Sequence, residues 1–255
     1  MCVIIFAWKV HPSYPLILIS NRDEFYDRDT LPAARWVENA SIIAGRDGER
    51  DGTWGGITDQ GRVAGLTNFR DGKPFDGFPR SRGQLTADFL GGTCGAEEYL
   101  KTIEEEYYGG YTLLVGTLTE GLWWASNRAE GIHKIEPGIH GLANHLMDTN
   151  WPKVQEGKER MESLMHRVID EDTLIENLFQ ILMNDKQAAD EDLPYTGLER
   201  ELEKLLSSMF VTTPNYGTRS STVILAKTSG EIRFVERSFG PERKLIQEVE
   251  HRSIA

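Results

Sequence analysis

The sequence has little cysteine and an excess of negative charge. Its 255 residues include only two cysteines, Cys2 and Cys94, and 28 basic against 40 acidic side chains, for a formal net charge of -12. Two cysteines without a metal-binding spacing exclude a disulfide framework and a zinc motif. The charge balance argues against nucleic acid or an anionic membrane surface as a partner, because both select basic patches.

Long apolar segments and common catalytic signatures are missing as well. No apolar run approaches the ~20 residues that span a bilayer as a helix, and the N-terminus has no signal-peptide pattern. No phosphate-binding glycine loop or GxSxG elbow occurs, and His140 and His145 do not have the i, i+4 spacing of a zinc pair. We therefore expect a cytoplasmic protein with no stable membrane insertion, no metal and no required cofactor.

The order of predicted elements favours one α+β domain over residues 1–255. Strand patterns occur at 2–8, 16–24, 53–58, 63–68, 111–117, 122–126, 132–135, 221–226 and 232–238. Helical patterns occur at 84–107, in two pieces separated by a glycine break, and at 151–169, 172–184 and 198–210. The stretch 25–50 is predicted to be a solvated loop around a short strand at 41–44. Hairpins, then helices, then a final hairpin is not the alternation of a doubly wound sheet.

Cys2 stands next to an initiator methionine that is normally removed when the second residue is small. The mature chain is then expected to begin with a cysteine that carries a free α-amine. The amine titrates near pH ~7.7–8.0 and the thiol near ~8.5, so one residue can supply both nucleophile and base. The alternative interpretation is that Cys2 is a small apolar residue in a buried strand.

The segment Asn21 to Glu24 reads Asn-Arg-Asp-Glu, the signature for which the NRDE family, also called the transport and Golgi organisation protein 2 family, is named. The chain resembles that family over nearly its whole length. Further matching blocks lie at 52–57, 65–68, 81–83, 141–144, 151–153 and 216–222. The resemblance implies an N-terminal nucleophile (Ntn) hydrolase fold, which is a four-layer αββα sandwich, without a settled reaction.

Five positions resemble the site of the choloylglycine hydrolase and penicillin V acylase branch of the Ntn hydrolases. By that likeness Cys2 is the nucleophile and Asp23 holds its amine. The likeness also implies that Asn68 and Asn144 donate to the oxyanion, and that Arg219 lies beside the cysteine and lowers its pKa. Taken as isolated residues, both asparagines are typical of turns or helix caps, and Arg219 equally suits a surface turn.

One position departs from that branch. Placing Asp23 on the branch's aspartate puts Ser20 where those amidases carry a catalytic arginine, and the arginine of this chain falls at Arg22. Because residues alternate along a strand, Arg22 and Ser20 share one side, whereas Asn21 and Asp23 share the other. Loss of the arginine at this position bears on whether the fold still hydrolyses a substrate.

Four residues are predicted to bind substrate: Asn21, Arg22, Trp54 and Gly55. Trp54, with the glycines that follow it, can line a pocket where the backbone approaches a ligand closely. The alternative is a core tryptophan in a strand that carries a bulge.

Two functions of different classes follow from these residues. The first is hydrolysis of a non-peptide C–N amide bond in a small or acylated substrate. The second is carriage of haem or an acyl lipid on the same fold without catalysis. A purely structural polar cluster is disfavoured, because buried charges are costly to hold without a use.

Overall fold

The computed structural model describes residues 2–73 and 77–254, with the backbone alone at position 2. The predicted removal of Met1 and the chemistry of the Cys2 side chain lie outside this described part. The strands are β1 (Cys2–Trp8), β2 (Leu16–Phe25), β3 (Thr30–Arg35), β4 (Ile42–Asp47), β5 (Gly55–Thr58), β6 (Arg62–Asn68), β7 (Tyr111–Thr117), β8 (Gly121–Ser126), β9 (Ala129–Lys134), β10 (Gly138–Ala143), β11 (Tyr216–Ala226), β12 (Glu231–Phe239) and β13 (Leu245–Ile254). The α-helices are α1 (Arg82–Gly91), α2 (Ala96–Lys101), α3 (Pro152–Met165), α4 (Glu171–Leu182) and α5 (Arg200–Leu205).

These strands form two antiparallel sheets. The first sheet has the order β10-β1-β2-β11-β12-β13, and the second has the order β3-β4-β5-β6-β7-β8-β9. In β1, Val3 and Ile5 pack on the helices, whereas Ile4 and Phe6 pack on the second sheet. A strand that is buried on both faces needs apolar residues at successive positions, which explains the continuous apolar run at the N-terminus.

Three apolar clusters separate four layers. Ile19 and Phe179 belong to the cluster between the first sheet and helices α3 and α4. Leu114 belongs to the cluster between the two sheets. Phe89 and Leu113 belong to the cluster between the second sheet and helices α1 and α2. The order helix, sheet, sheet, helix confirms the predicted α+β class and the αββα sandwich.

Three strands that the sequence patterns did not predict, β3, β10 and β13, all lie at sheet edges. Pro32 lies in β3, Gly138 and Gly141 lie in β10, and β13 is rich in charged residues. Edge strands tolerate proline, glycine and charge because one side makes no ladder hydrogen bonds. The solvated loop predicted at 25–50 is wrong in part, since it also contains β3, whereas the short strand predicted at 41–44 corresponds to β4.

The helices are short and lie on the outer faces of the sandwich. Among the residues described, no helix is long and apolar enough to cross a membrane.

Candidate active site

The ends of three neighbouring strands bring predicted site residues together. Cys2 is the register partner of Arg22 across β1 and β2, and Val3 is the partner of Ala143 across β1 and β10. Asn144 follows Ala143 directly, so the chain leaves β10 beside the beginning of β1. The backbone at position 2 therefore lies between the Asn-Arg-Asp-Glu segment and the segment that carries Asn144.

Asn144 connects the two sheets. It is fully buried, and its φ of 43° lies in the left-handed region, which asparagine tolerates better than most residues. Its side-chain NH₂ donates a hydrogen bond to Oδ1 of Asn68 over 2.8 Å. Asn68 ends β6 in the second sheet and is half-buried. The structure thus brings together the two asparagines predicted to act on the oxyanion.

Arg70 holds Asn144 from the other side. The Arg70 backbone N–H donates to the Asn144 carbonyl oxygen over 2.7 Å, and Nη2 donates to Oδ1 of Asn144 over 3.2 Å. Nη1 of Arg70 forms an ion pair with Oε2 of Glu203 over 2.8 Å, and both side chains are 2% exposed. The second carboxylate oxygen of Glu203 accepts hydrogen bonds from the N–H and the hydroxyl of Thr196. A buried ion pair with this many hydrogen bonds fixes the segments it joins.

Asp23 is buried beside this network. Its Oδ1 accepts a hydrogen bond from the Thr218 hydroxyl over 2.7 Å. Burial raises the pKa of Asp23, whereas the nearby charges of Lys153 and Arg70 and the Thr218 hydrogen bond act in the opposite direction. Lys153 is itself buried and donates to the Leu206 carbonyl oxygen over 3.0 Å. The pKa shift of Asp23 is upward overall, and the nearby cations limit it. The predicted contact of Asp23 with the α-amine stays a prediction.

Asn21 is an interior anchor. Its side-chain NH₂ donates to the carbonyl oxygens of Leu182 and Met209, each over 2.9 Å, and its oxygen accepts from the Ser221 hydroxyl over 2.6 Å. The residue is fully buried. These contacts tie α4 and the segment before β11 to the first sheet, and substrate binding by Asn21 remains a prediction.

Arg22 points between the two sheets, opposite to Asn21, as the strand alternation predicts. It donates to Thr30 over 2.8 Å and to Asp47 over 3.1 Å, and its guanidinium lies 4.6 Å from the centre of the Trp54 ring. Trp54 is largely buried and fills the space over Gly45, where a Cβ atom would lie 2.2 Å from the ring. Trp54 and Arg22 therefore form one stacked unit between the sheets.

Gly55 directly follows this unit. It begins β5 and pairs with Gly65 of β6. A Cβ at Gly65 would lie 2.8 Å from the Ile4 side chain, so the absence of a side chain lets β6 approach β1 closely. The predicted ligand contact at Gly55 stays a prediction.

Arg219 lies at an irregularity of β11. The register between β2 and β11 shifts between Thr218 and Ser220, so Arg219 is the extra residue of a β-bulge. Its Nη1 donates to the carbonyl oxygens of Phe25 over 2.7 Å and Arg28 over 2.9 Å. Burial, followed by the charge of Arg22, lowers the pKa of Arg219. The bulge thus directs this cation toward the turn after β2, one strand farther from position 2 than Arg22.

Glu236 is a buried carboxyl group that the sequence interpretation missed. Its Oε1 accepts from the Ala33 N–H over 2.7 Å and its Oε2 from the Thr222 hydroxyl over 3.1 Å. Burial raises the pKa of Glu236 to about 7, against the opposing effects of these hydrogen bonds and of the Arg22 charge. A carboxyl group between the sheets therefore titrates near neutral pH.

The missed residues had weak or hidden signals. Glu236 occupies the same face of β12 as Ile232 and Phe234, so a charged residue at an apolar position of an alternating strand could have indicated it. Arg70 lies two positions after Asn68 but in no strand or helix. Glu203 lies in the charged helix α5 and cannot be told from its solvated neighbours by pattern.

The fold defines a class of protein. The Caenorhabditis elegans ortholog of N-acylethanolamine-hydrolyzing acid amidase superposes with a TM-score of 0.53 at 15% identity, covering 88% of this chain and 92% of that chain. The conjugated bile acid hydrolase from Clostridium perfringens superposes with a TM-score of 0.55 at 7% identity, covering 98% and 92%. At these identities the likeness concerns the fold alone. This chain has the Ntn-hydrolase fold.

Its sequence is similar to a named family. The family model described as Transport and Golgi organisation 2 matches residues 1–241. The Transport and Golgi organization protein 2 homologs of Bos taurus and Homo sapiens are 35% identical over 257 residues and 34% identical over 261 residues, each covering 93% of both chains. The Drosophila melanogaster protein of that name is 28% identical over 266 residues, covering 93% of this chain and 92% of its own. The chain therefore belongs to the Transport and Golgi organisation 2 family, as the segment Asn21 to Glu24 predicted.

Proposed function

We propose that this chain is an N-terminal-cysteine hydrolase that cleaves a non-peptide C–N amide bond in a small or acylated substrate. The observation that carries the proposal is the strand register at position 2, which pairs Cys2 with Arg22 and lies beside the segment that carries Asn144. Two structures with this fold are named for the hydrolysis of N-acylethanolamines and of conjugated bile acids. We carry that substrate class over as part of the proposal.

The reaction has two steps. In the first step, the Cys2 α-amine takes the thiol proton and the sulfur attacks the amide carbonyl carbon, so a C–S bond forms and negative charge develops on oxygen. The proton then passes to the leaving nitrogen as the C–N bond breaks. In the second step, water attacks the thioester, the amine accepts a proton from that water, and the C–S bond breaks. The products are an amine, a carboxylic acid and the restored cysteine.

In this proposal, Arg22 supplies the positive charge that a serine at position 20 cannot provide. Ser20 pairs with Ile4, two residue pairs inward from the pair formed by Cys2 and Arg22. A guanidinium on the register partner of the nucleophile favours the thiolate, because a nearby positive charge lowers a thiol pKa. Asp23 holds the α-amine, Arg219 adds positive charge at the bulge, and an asparagine supplies a hydrogen bond to the oxyanion.

The first test is the selectivity of thiol alkylation. The purified protein is treated at neutral pH with a limiting dose of iodoacetamide, and intact mass and peptide mapping then report Met1 and each cysteine. We expect loss of Met1 and labelling of Cys2 at least ~10-fold faster than Cys94, because the thiolate is the reactive form. Cys94 is a half-buried free cysteine and serves as the internal control. Retained Met1, or equal labelling of the two cysteines, would overturn the proposal.

The second test is turnover of a panel of N-acyl amides. Cys2→Ala should abolish hydrolysis, and Cys94→Ala should leave it unchanged. Insertion of one residue between Met1 and Cys2 keeps the thiol but removes its own amine, so we expect the loss of hydrolysis with only a small change in stability. Full activity of the inserted variant would show that the amine is not the base.

The carrier function remains a second prediction, and one open groove bears on its haem form. The groove has a volume of about 690 Å³ on the outer face of the second sheet and extends from Leu100 to Ile132. Of the described residues that line it, none is histidine, cysteine or methionine, and burial raises the pKa of its Tyr111 so that the phenol stays protonated. These residues do not fit an axial haem ligand. We derive no step through haem at this groove.

A further inference from the structure

Four side chains form one chain of hydrogen bonds at the proposed site. In order they are Glu203, Arg70, Asn144 and Asn68, with contacts of 2.8, 3.2 and 2.8 Å. A carboxylate only accepts and a guanidinium only donates, so the direction of the first contact is settled by chemistry. Because the guanidinium of Arg70 can only donate to Asn144 as well, the directions of the two later contacts are also settled.

Arg70 determines how the Asn144 amide is oriented. Because the guanidinium has no acceptor, the Asn144 atom that faces it must be Oδ1. The Asn144 NH₂ must then face Asn68, where it donates to Oδ1 over 2.8 Å and to the backbone carbonyl oxygen over 3.3 Å. Among the described residues, both acceptors of the Asn144 NH₂ belong to Asn68, and Asn144 is fully buried.

The same logic orients Asn68. Its Oδ1 accepts from Asn144, so its NH₂ must point away from that contact. Among the residues described, none accepts a hydrogen bond from this NH₂, and Asn68 is half-buried rather than sealed. The Asn68 NH₂ is the end of the chain of hydrogen bonds and the group that is left to donate.

We propose that Asn68 alone of the two asparagines donates its side-chain hydrogen bond to the oxyanion, and that Asn144 is a positioning residue that aims the Asn68 amide. This inference rests on the proposed hydrolase function. It replaces the expectation from the family resemblance that both asparagines donate. Arg70 and Glu203 complete the chain by fixing Asn144, whose left-handed backbone is also held by the Arg70 N–H.

The catalytic test separates a reaction that makes an oxyanion from one that does not. Acylation of Cys2 by p-nitrophenyl acetate passes through a tetrahedral oxyanion, whereas alkylation by iodoacetamide does not. Asn68→Ala should lower the acylation rate ~10²-fold, the typical loss for one oxyanion donor, and leave the alkylation rate within ~2-fold. Asn177→Ala, on the outer helix α4, is the matched control and should change neither rate.

A double-variant cycle distinguishes a donor from a residue that acts through the donor. If Asn144 acts through Asn68, Asn144→Ala lowers acylation in the wild-type background and adds no further loss in the Asn68→Ala background. Losses that multiply in the double variant would show two separate donors and overturn the inference. Unchanged acylation in Asn68→Ala would overturn it as well.

A second measurement needs neither catalysis nor a variant that folds poorly. In protein labelled with ¹⁵N-asparagine, the side-chain NH₂ of Asn144 should exchange with solvent at least ~10²-fold more slowly than that of Asn68, because only the former is buried and bonded. Arg70→Lys removes the fork that fixes the Asn144 oxygen and should speed exchange of the Asn144 NH₂. Protection of Asn68 instead of Asn144 would overturn the inference. If Cys2 is not acylated by the ester, the hydrolase proposal fails, and the exchange result still decides how the two amides are oriented.

Discussion

The two faces of the first sheet each bury a carboxyl group, and the groups around the two carboxyls differ. On the face toward the helices, Asp23 lies near Lys153 and Arg70, and Arg70 is paired with Glu203. On the face toward the second sheet, the Glu236 carboxyl group is held by a backbone N–H and a hydroxyl. The comparison shows that burial raises the carboxyl pKa on both faces, whereas the groups that oppose this rise differ. Two cations and one hydroxyl oppose it at Asp23, and a backbone N–H, a hydroxyl and the charge of Arg22 oppose it at Glu236.

The largest effect should come from breaking the ion pair on the helix face. Arg70→Met removes the partner of a buried carboxylate, and we expect a loss of ~3–5 kcal/mol in the free energy of unfolding, because Glu203 is left as an uncompensated buried charge. Urea unfolding measures this loss in the free energy of unfolding. Arg80→Met breaks the exposed pair with Glu104 and should cost at most ~1 kcal/mol. Equal losses in the two variants would contradict the contrast between buried and exposed pairs.

The next effect should come from the interior anchor on the same face. Asn21→Ala leaves the Leu182 and Met209 carbonyl oxygens without this donor, and we expect a loss of ~2–4 kcal/mol in the free energy of unfolding. Ser221→Ala removes one of the three Asn21 contacts and should cost ~1 kcal/mol. A neutral Asn21→Ala variant would show that Asn21 does not anchor the helices.

On the sheet face, Glu236→Gln should change the pH dependence of stability. The folded carboxyl pKa of about 7 lies above its ordinary value of 4.5, so folding takes up a proton between these values. Wild-type stability should therefore fall as pH rises from 4.5 to 7, whereas the variant lacks this component. We expect the variant to gain on the wild type by ~1–3 kcal/mol over this range, measured by urea unfolding at several pH values. The exposed Glu106→Gln is the control, and parallel pH profiles for Glu236→Gln and the wild type would contradict the buried titration.

The smallest effect should lie outside both faces, at the segment that carries Asn144. Both ring nitrogens of His140 face acceptors, the Asp148 carboxylate over 2.7 Å and the Glu136 carbonyl oxygen over 2.9 Å, and only the imidazolium form donates to both. Burial lowers the pKa of His140, whereas these two hydrogen bonds raise it. Together the hydrogen bonds outweigh burial, so the net shift of the pKa is upward. The stabilisation is complete below pH ~6.5 and is lost as pH rises through the folded pKa. Because both side chains are partly exposed, we expect it to amount to less than ~1 kcal/mol.

An NMR titration of the His140 ring measures this shift directly. His140→Gln identifies the resonance of the His140 ring, because that resonance is absent from the variant. The same variant should also lack the part of the pH dependence of stability that comes from the ring. A His140 pKa at or below that of a free histidine would contradict the doubly donating imidazolium.

Much of the site could be predicted because it lies on strands with clear patterns. The continuous apolar run at the N-terminus predicted strand β1. The alternation of residues along β2 predicted that Arg22 and Asp23 lie on opposite sides, and the structure confirms this. Asn68 and Asn144 were named on family resemblance and lie in contact. The edge strands could not be predicted, since proline, glycine and charge hide their pattern. Glu203 and Arg70 could not be paired, because their contact joins positions 133 residues apart.

The sequence by itself determined the α+β class, the Ntn-hydrolase likeness, the family and the set of residues at the N-terminal strands. These are local properties of spacing, polarity and signature, which each segment carries without its neighbours. Only the tertiary structure decided which face of β2 meets the helices, which carboxyl group lies among cations, and which way each asparagine amide is oriented. Those outcomes depend on burial and on donors and acceptors brought together from distant segments, and no single segment contains that information.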